Sequence, residues 1–329
     1  MKPAQKIFFV SAYDATFIRQ DIKILSTHFQ FKKALFPQAR KDPLYLIYTF
    51  FVILRGVLAT DITYAAFADL RAYIAVFWCR LLRKKSVILV GGYESAALPE
   101  INYGGLLKRG QARRFKYVLK HADEVITYSE FSKTEVVSFF PPRKISVIPL
   151  GIEVTDLPPK TKKNYIVTIG DATDSKWKLK GLEIFALASI SQPGMKFIII
   201  GNYSEEIKKL LLTVNSSIEF TGYIPVKEVE DILSKTKIYC QLSLRESFGL
   251  SVLEAMKHGA IPVVTQKGSL PEVVDDVGFF TEYDNIESTV NAIEKALIKG
   301  APAKVRKRAI EHFDIKFREQ KLVKLIESL

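Results

Sequence analysis

Short runs of β-branched and aromatic residues alternate with longer segments of helical periodicity along the whole chain. Strands that alternate with helices are typical of parallel sheets covered by helices on both faces. In the first half, the pattern predicts strands at 7–10, 62–66, 87–90, 125–128 and 145–149, and helices near 19–36, 43–58, 71–84, 105–121 and 130–139. In the second half it predicts strands at 165–169, 197–200, 218–221, 238–242 and 261–264, with helices between them.

A segment without periodicity separates the two series. Residues 150–163 contain Gly151, Pro158 and Pro159 and end in a lysine-rich stretch, which is typical of an interdomain linker. Each side is long enough for one doubly wound α/β domain of about 150 residues. Ligands of such domains bind at the carboxyl ends of the strands, so we expect a site in a cleft between the two domains.

The composition places the chain among globular proteins. Apolar residues make up 48% and charged residues 25% of the 329 positions, which excludes disorder and fibrous repeats. The two cysteines, Cys79 and Cys240, are far apart in the chain, so we expect neither a disulfide framework nor a cysteine zinc site, and a reducing cytoplasm fits. The apolar run near the first residue is too short for a signal peptide.

The formal net charge of +13 is unevenly distributed. Residues 1–155 have 23 Lys and Arg against 12 Asp and Glu, whereas residues 156–329 have 25 against 23. A basic N-terminal half indicates an anionic partner such as a membrane face, a phosphorylated acceptor or a nucleic acid, and a generally soluble basic surface is the alternative. Because no nucleic-acid-binding module is recognised, we expect no nucleic-acid partner.

Two segments bear on membrane contact. The most apolar run, Leu44–Leu54, has eleven residues, whereas a bilayer span needs about 20, so a transmembrane helix is not expected. A buried helix is favoured there over an interfacial one. In the helix predicted at 105–121, four basic residues share one face: Arg109, Arg113, Lys116 and Lys120. Such a stripe suits anionic lipid headgroups, and a solvated face is the alternative.

The sharpest local signal is the sequence RESFGLSVLEAM at 245–256, which follows the strand predicted at 238–242. Glu246 lies in the loop at the carboxyl end of this strand, and Glu254 lies on the helix that follows. The first amides of a helix have no partner within it and lie at the positive end of its dipole, which favours anion binding. Gly249 lets a phosphate approach the backbone closely. Because a carboxylate only accepts hydrogen bonds, Glu254 suits ribose hydroxyls and Glu246 suits sugar hydroxyls, with solvated or helix-capping glutamates as the alternative.

Residues 246–264, ESFGLSVLEAMKHGAIPVV, resemble the two-glutamate signature of glycosyltransferase family 4. The sequences GSLPEVV at 268–274 and FTGYIP at 220–225 resemble the family's neighbouring loops, and the resemblance is strong over about residues 145–285. It implies a GT-B fold of two doubly wound Rossmann-like domains facing a cleft. It also implies retaining transfer from a nucleoside-diphosphate sugar, with no obligatory metal or other cofactor. We expect an acceptor and membrane-facing domain at 1–155, a nucleotide-sugar domain at 156–312, and a C-terminal helix at 313–329 that returns toward the first domain.

The resemblance also implies roles for single residues. Glu246 would contact hydroxyls of the donor sugar, and Lys180, which precedes Gly181, would neutralise the diphosphate, with a surface lysine as the alternative. Glu254 would bind the ribose. The other donor-side residues are Phe248, Gly249 and Leu250 through their backbone amides, Tyr223 and Ile224 at the base, and Gly170 at a strand end.

Two positions depart from the family pattern. Where the family often has an arginine after the glycine equivalent to Gly170, this chain has Asp171, and Lys176 or Lys178 is expected to supply the charge. Where the family often has a histidine on the N-terminal side, residues 90–94 read VGGYE, and no histidine lies at the carboxyl end of a predicted strand. The acceptor-side candidates are Asp14, Arg19, Gly91, Gly92, Glu94 and Tyr103. For Asp14 and Arg19, helix capping or a salt bridge is the alternative.

The sequence therefore predicts a retaining glycosyltransferase of the hexosyltransferase type. We expect it in the cytoplasm or peripherally at the cytoplasmic face of a membrane, with a nucleotide sugar and an acceptor glycan or lipid-linked saccharide as partners. The main alternative is a catalytically silent GT-B subunit that binds nucleotide and supports a partner enzyme. An epimerase built on two similar domains is a further alternative, which the order of the motifs disfavours.

Overall fold

Two parallel sheets organise the computed structural model of the chain, which describes residues 5–12, 14–36, 42–154, 161–174 and 176–329. The chain divides into two compact units, one of Met1–Pro149 with Arg318–Leu329 and one of Leu150–Phe317. The predicted class, two α/β domains with parallel sheets, is confirmed. The division falls at Pro149, whereas the boundary predicted at residue 155 lies outside the described residues.

The first unit has a sheet of six described strands: β1 (Lys6–Ser11), β2 (Gln30–Leu35), β3 (Ile62–Ala66), β4 (Lys85–Leu89), β5 (Glu124–Thr127) and β6 (Ile145–Val147). Their order in the sheet is β2-β1-β3-β4-β5-β6, and every pair is parallel. Its helices are α1 (Thr16–His28), α2 (Pro43–Leu58), α3 (Leu70–Leu81), α4 (Arg109–His121) and α5 (Glu130–Phe139).

The second unit also has six described strands: β7 (Tyr165–Ile169), β8 (Lys196–Ile200), β9 (Glu219–Gly222), β10 (Ile238–Gln241), β11 (Ile261–Thr265) and β12 (Phe279–Thr281), in the parallel order β12-β11-β10-β7-β8-β9. Its helices are α6 (Lys176–Leu179), α7 (Leu182–Ile190), α8 (Glu205–Val214), α9 (Val226–Lys235), α10 (Leu250–Lys257), α11 (Leu270–Val274), α12 (Ile286–Lys299) and α13 (Pro302–Phe313). The last helix, α14 (Ile315–Glu327), begins in this unit, and from Arg318 onward it belongs to the first.

The helix predicted over 19–36 is wrong in its last part, because β2 occupies Gln30–Leu35. This strand is mostly exposed and contains Lys32 and Lys33. Its sequence therefore lacks the apolar positions by which a buried strand is predicted. Pairing with β1 makes it a strand, and lysines on such an edge oppose pairing with another chain. The helix predicted at 105–121 starts only at Arg109, after a 3₁₀ turn at Gly105–Leu107.

Helices α2, α3 and α4 share one hydrophobic core with the first sheet, to which Ile53 and Phe115 belong. The expectation that α2 is a buried helix is wrong, because within Pro43–Leu58 only Thr49, Ile53 and Val57 are buried. The helix forms an outer layer of the unit and contacts the core through one narrow face. Among the described helices, none combines the length and the apolar character needed to cross a bilayer.

A buried ion pair ties the C-terminal segment into the first unit. The Arg318 guanidinium donates from Nε and Nη2 to the two carboxylate oxygens of Asp21 on α1, over 2.7 and 2.8 Å. Tyr64 on β3 donates its hydroxyl to the same carboxylate, and Arg318 Nη1 donates to the carbonyls of Ile148 and Pro149. Each nitrogen and oxygen of the two charged groups is therefore hydrogen-bonded, which offsets part of the cost of removing both charges from water.

Candidate active site

The second unit brings Lys180 and Glu246 together at the carboxyl ends of its strands. Lys180 follows α6, which comes after β7, and Glu246 lies in the loop after β10. These strands are neighbours in the sheet, so their loops meet at one edge. Lys180 Nζ donates to Glu246 Oε2 over 2.7 Å, and the side chains are 24% and 17% exposed. The two residues predicted as catalytic thus form a partly exposed ion pair.

The backbone of Glu246 is held by the loop that precedes α11. Ser269 donates from its backbone amide and its hydroxyl to the Glu246 carbonyl, over 3.0 and 3.2 Å. Gly268 lies so close that an added Cβ would stand 2.2 Å from this carbonyl oxygen, and its φ of +66° favours glycine. A larger residue at Gly268 would therefore displace Glu246.

Two polar side chains that the sequence analysis missed lie beside the Glu246 carboxylate. Gln241 Nε2 and Ser243 Oγ both lie 3.5 Å from Glu246 Oε2, and Gln241 Nε2 also donates to Ser243 Oγ over 2.7 Å. Both residues are fully buried. The sequence does contain a signal for Gln241 and Ser243. They are polar residues two positions apart at the end of an apolar strand, and residues two apart on a strand share one face.

The helix α10 begins immediately after Gly249. Gly249 has a φ of +92°, a conformation that favours glycine, and it joins the loop of Glu246 to the helix. The ring of Phe248 is buried and packs edge-on against Phe313, with centroids 5.8 Å apart, so Phe248 faces the interior with its side chain. The predicted donor contact of residues 248–250 would therefore be made by their backbone amides and not by the Phe248 ring. The first amides of a helix and its dipole together favour an anion at this end.

Glu254 lies on α10 within a partly buried environment. Burial raises the pKa of its carboxyl to about 7, whereas the nearby Lys257 lowers it and Glu230 raises it further. Lys257 donates to Glu230 over 2.8 Å, so its charge is shared. No side-chain hydrogen bond to the Glu254 carboxylate occurs among the residues that the structure describes. The carboxylate can therefore accept hydrogen bonds from a ligand.

Asp171, the departure from the family pattern, forms a local network. Lys176 Nζ donates to Asp171 Oδ2 over 2.8 Å, and the Asn202 amide donates to Oδ1 over 3.1 Å. Burial alone would raise the pKa of Asp171, but the hydrogen bonds and the charge of Lys176 outweigh it and hold the pKa below its ordinary value. The charge of Lys176 is thus used within this pair. Lys178 instead places its amine over the Trp177 ring, 5.5 Å from the centroid.

The remaining donor-side candidates differ in their exposure. Gly170 closes β7, and a Cβ there would lie 3.0 Å from Cγ of Lys180, so the lysine stem passes directly over this glycine. Tyr223 follows β9 with 79% of its side chain exposed, and Ile224 is half-buried. Tyr223 therefore presents a free ring face.

In the first unit, Asp14 and Arg19 pair with each other at the start of α1. Arg19 Nε donates to Asp14 Oδ1 over 2.8 Å, with both side chains more than half exposed. This hydrogen bond lowers the pKa of Asp14, against a smaller effect of burial. The structure thus shows a surface salt bridge between these two candidates.

Glu94 is the most constrained acceptor-side candidate. Its Oε1 accepts from the amides of Ala68 and Gly91, over 2.9 and 3.3 Å, and its Oε2 accepts from Gly92 over 3.0 Å. Burial raises the pKa of Glu94, although these backbone hydrogen bonds oppose the shift. Glu94 therefore joins the loops that follow β3 and β4. Tyr103 packs edge-on against Tyr93, with centroids 5.3 Å apart.

A cavity of about 530 Å³ lies beside Glu94 in the first unit. Its lining is mainly apolar and includes Phe17, Phe67, Leu70 and Phe115. The charged side chains of Asp69, Arg71, Glu94 and Arg114 also line it. Arg71 is buried and donates to Asp69 over 2.5 Å, and its Nε has no hydrogen-bond partner among the residues that the structure describes. The sequence analysis missed both arginines, although Arg71 follows a strand end closely.

The four membrane-side candidates on α4 all lie on its exposed face: Arg109, Arg113, Lys116 and Lys120. Lys116 places its amine 5.1 Å from the centroid of the Phe140 ring. Apart from the undescribed positions, the structure contains no group of three or more His, Cys, Asp or Glu side chains arranged to hold a metal ion.

Residues 153–312 match the family model of the glycosyl transferases group 1. The GPI3 subunit of the phosphatidylinositol N-acetylglucosaminyltransferase of Saccharomyces cerevisiae is 26% identical over 199 residues, which cover 55% of this chain and 44% of that protein. The O-antigen chain mannosyltransferase B of Escherichia coli is 25% identical over 192 residues, covering 52% of this chain and 50% of that protein. The chain thus spans about half the length of these curated relatives.

Among solved structures, the crystal structure of Anabaena Alr3699/HepE in complex with UDP and glucose has a TM-score of 0.81 to this chain. The match covers 99% of this chain and all of the other, at 16% sequence identity. At this identity the likeness shows the fold. The predicted resemblance to glycosyltransferases and the predicted GT-B fold class are confirmed.

Proposed function

Since residues 153–312 match the family model of the glycosyl transferases group 1, we propose that the chain is a retaining glycosyltransferase of family 4 that uses a nucleoside-diphosphate sugar. The observation that carries this proposal is the ion pair of Lys180 and Glu246 at the strand ends, close in sequence to the start of α10. It supplies one group that binds phosphate and one that binds hydroxyls, and neither is locked in a fully buried network.

Lys180 and the first amides of α10 bind the diphosphate. Negative charge develops on the leaving diphosphate in the transition state, and fixed positive charges at that position lower the barrier. When the diphosphate pairs with Lys180, Glu246 is free to accept hydrogen bonds from the sugar hydroxyls. Because Lys180 and the helix dipole provide this positive charge, the transfer has no obligatory metal.

Glu254 accepts hydrogen bonds from the two ribose hydroxyls, and Tyr223 and Ile224 contact the base. The transfer follows a front-face path. The bond between the anomeric carbon and the acceptor oxygen forms on the side where the bond to the phosphate oxygen breaks. The leaving phosphate oxygen takes the proton of the acceptor hydroxyl, so no enzymic nucleophile is needed.

The acceptor is a glycan or a lipid-linked saccharide, and the chain acts in the cytoplasm, peripherally on the cytoplasmic face of a membrane. The exposed basic stripe on α4 supports this location, because each basic residue near an anionic surface contributes about 1 kcal/mol. The cavity beside Glu94 supports an acceptor that combines an apolar part with an anionic group. Arg114 would pair with that group, since Arg71 already donates to Asp69.

One observation favours the alternative of a silent nucleotide-binding subunit. The family often has an arginine where this chain has Asp171, and Asp171 here consumes the charge of Lys176. Fewer free cations around the diphosphate mean less stabilisation of the leaving group. Sugar transfer or donor hydrolysis by the purified chain would support the glycosyltransferase. Donor binding without either reaction would support the silent nucleotide-binding subunit.

A thermal-shift panel of nucleoside-diphosphate sugars tests the proposal. A ligand at about 100 times its dissociation constant stabilises the fold by about 2.7 kcal/mol, so the true donor is expected to raise the Tm by several degrees. Glu254→Ala is expected to abolish this shift. Glu294→Ala, on the exposed face of α12, is the matched control and should retain it. If no nucleoside-diphosphate sugar shifts the Tm, the proposed donor binding is wrong. If Glu254→Ala leaves the shift unchanged, the assignment of Glu254 to the ribose is wrong.

A further inference from the structure

The outward face of α2 is apolar, which is unusual for a helix on the surface of a protein. Leu44 is 74% exposed, Ile47 55%, Phe51 58% and Leu58 58%. Tyr48 extends this face, and Arg55 is the one charged residue within Pro43–Leu58. A surface helix normally has polar residues opposite its buried face. Contiguous exposed apolar side chains of this kind mark a surface that contacts a partner.

Helical spacing shows that these side chains form one face. Leu44, Ile47, Tyr48 and Phe51 stand at intervals of three and four residues, so they are neighbours on the helix surface. Thr49, Ile53 and Val57 lie on the buried side, also at intervals of four. The helix therefore has two apolar sides, of which the described residues cover only one.

Helix α3 continues the apolar surface. It packs against α2, and the rings of Phe50 and Trp78 approach within 4.9 Å between centroids. Phe77 and Leu81, one turn apart on α3, are 38% and 62% exposed. We call the exposed side chains of Leu44, Ile47, Tyr48, Phe51, Leu58, Phe77 and Leu81 the apolar patch.

The three helices that carry or adjoin the apolar patch are basic, and the acidic residues Asp42 and Asp69 lie only at the starts of α2 and α3. Helices α2, α3 and α4 contain no Asp or Glu, but they contain eight basic residues: Arg55, Arg71, Arg80, Arg109, Arg113, Arg114, Lys116 and Lys120. α4 packs against α3, so the basic stripe and the apolar patch belong to one layer of adjacent helices. An apolar surface with a basic border is complementary to an anionic lipid leaflet.

We propose that the apolar patch inserts into the headgroup region of an anionic phospholipid leaflet, with α2 lying along the interface. α2 has 16 residues, about 24 Å, which is shorter than the hydrocarbon core of about 30 Å, so it lies on the leaflet rather than across it. A second copy of this chain fits the patch poorly, because two such basic borders would repel each other. The proposal rests on the membrane attachment proposed above and adds a hydrophobic component that salt does not remove.

Co-sedimentation with vesicles tests the insertion. The probes are phosphatidylcholine vesicles with and without about 30% phosphatidylglycerol, at about 50 mM and about 500 mM NaCl. Three variants are compared with the unmodified chain. Ile47→Ser with Phe51→Ser removes apolar contact without adding charge, and Leu297→Ser with Ile298→Ser is the matched control on the exposed face of α12. A third variant replaces Arg109, Arg113, Lys116 and Lys120 with glutamine.

The Ile47/Phe51 variant should lose at least about tenfold of the partition coefficient at high salt, where charge attraction is screened. The glutamine variant should lose most of its binding at low salt and retain the binding that resists salt. The Leu297/Ile298 control should partition as the unmodified chain does. Circular dichroism is expected to show all variants folded, since only exposed side chains change.

Tryptophan quenching provides a second measurement. The chain has two tryptophans, so Trp177→Phe leaves Trp78, beside α2, as the probe. Lipids brominated in the upper acyl chain should quench Trp78 emission, and the Ile47/Phe51 serine substitutions should reduce this quenching.

Unchanged salt-resistant partitioning of the Ile47/Phe51 variant would overturn the insertion. If the glutamine variant alone loses binding, electrostatic attachment stands and insertion fails. A lipid-free dimer that the serine substitutions convert to a monomer would also overturn it, because the patch would then be a contact between copies. Donor binding, measured in parallel by thermal shift, separates any of these failures from a failure of the proposed glycosyltransferase function.

Discussion

Substituting Glu254 should stabilise the ligand-free protein and weaken donor binding at the same time. Burial raises the pKa of this carboxyl from 4.5 to about 7. Each unit of such a shift corresponds to about 1.4 kcal/mol, so keeping Glu254 ionised in the folded state costs about 3 kcal/mol. Glu254→Gln preserves the size and shape of the side chain and removes this cost.

The sign of the pH dependence follows from the raised pKa. Between pH 4.5 and about 7, the folded protein keeps a proton that the unfolded chain releases, so the stability of the unmodified protein falls as the pH rises through this window. At pH 8 the glutamine variant should therefore be more stable by up to about 3 kcal/mol, which raises the Tm by roughly 6–12 °C. Below pH 4.5 the two proteins should unfold at nearly the same temperature.

Donor binding should show the opposite trend. Hydroxyl donors prefer the ionised carboxylate, whose fraction in the ligand-free protein rises from about 10% at pH 6 to about 90% at pH 8. The affinity of the unmodified protein for its nucleoside-diphosphate sugar should thus rise about tenfold between these pH values. For Glu254→Gln the affinity should be lower and nearly independent of pH.

Isothermal titration calorimetry at pH 6, 7 and 8, with the sugar nucleotide that gives the largest thermal shift, measures the binding. Differential scanning calorimetry without ligand measures the stability. Glu294→Gln, at an exposed position on α12, is the control in both. A pH-independent affinity of the unmodified protein, or a glutamine variant that binds as tightly at pH 8, would refute the assignment of Glu254 as the ribose ligand.

Three further substitutions have defined outcomes. Asp21→Asn leaves the buried Arg318 guanidinium without a counter-charge and should lower the free energy of unfolding, measured by chemical denaturation, by about 3–5 kcal/mol. The Asp21→Leu/Arg318→Met double variant should recover most of this loss. An Asp21→Asn variant within about 1 kcal/mol of the unmodified protein would contradict this. Lys180→Ala should lower kcat for transfer by about 10²–10³-fold at saturating donor, while an unchanged kcat would remove Lys180 from the mechanism. Arg114→Ala should raise the KM for an anionic acceptor about tenfold without changing donor affinity, and an equal rise for an uncharged acceptor would contradict anion pairing.

Most elements of the fold could be predicted because each is encoded in its own residues. β3 at Ile62–Ala66 and β7 at Tyr165–Ile169 have the predicted bounds, since both are runs of apolar and β-branched residues. β2 could not be predicted in this way. Its exposed, lysine-containing sequence carries no strand signal, and only hydrogen bonds to β1 make it extended.

The candidate site was partly predictable. The motif at 245–256 identified Glu246 and Glu254, because a loop that closes a strand and opens a helix is a local pattern. The contact between Lys180 and Glu246 joins positions 66 apart in the chain and arises from the adjacency of β7 and β10 in the sheet. Glu94 was predicted as an acceptor-side residue. Two of the backbone amides that hold its carboxylate, those of Gly91 and Gly92, belong to its own loop, whereas the amide of Ala68 comes from the loop after β3 and reaches Glu94 only in the folded unit.

The sequence by itself determined most of the strands and helices, where the two-glutamate motif lies and which half of the chain is basic. The tertiary structure alone decided which apolar faces are covered. The apolar run Leu44–Leu54 shows that α2 can bury apolar side chains, but burial requires a neighbouring surface, and the described residues supply one on a single side. The same holds for Asp21 and Arg318, which are 297 positions apart in the chain. Nothing in the sequence near either residue distinguishes it from a surface charge. Only folding buries both side chains and brings them into one ion pair.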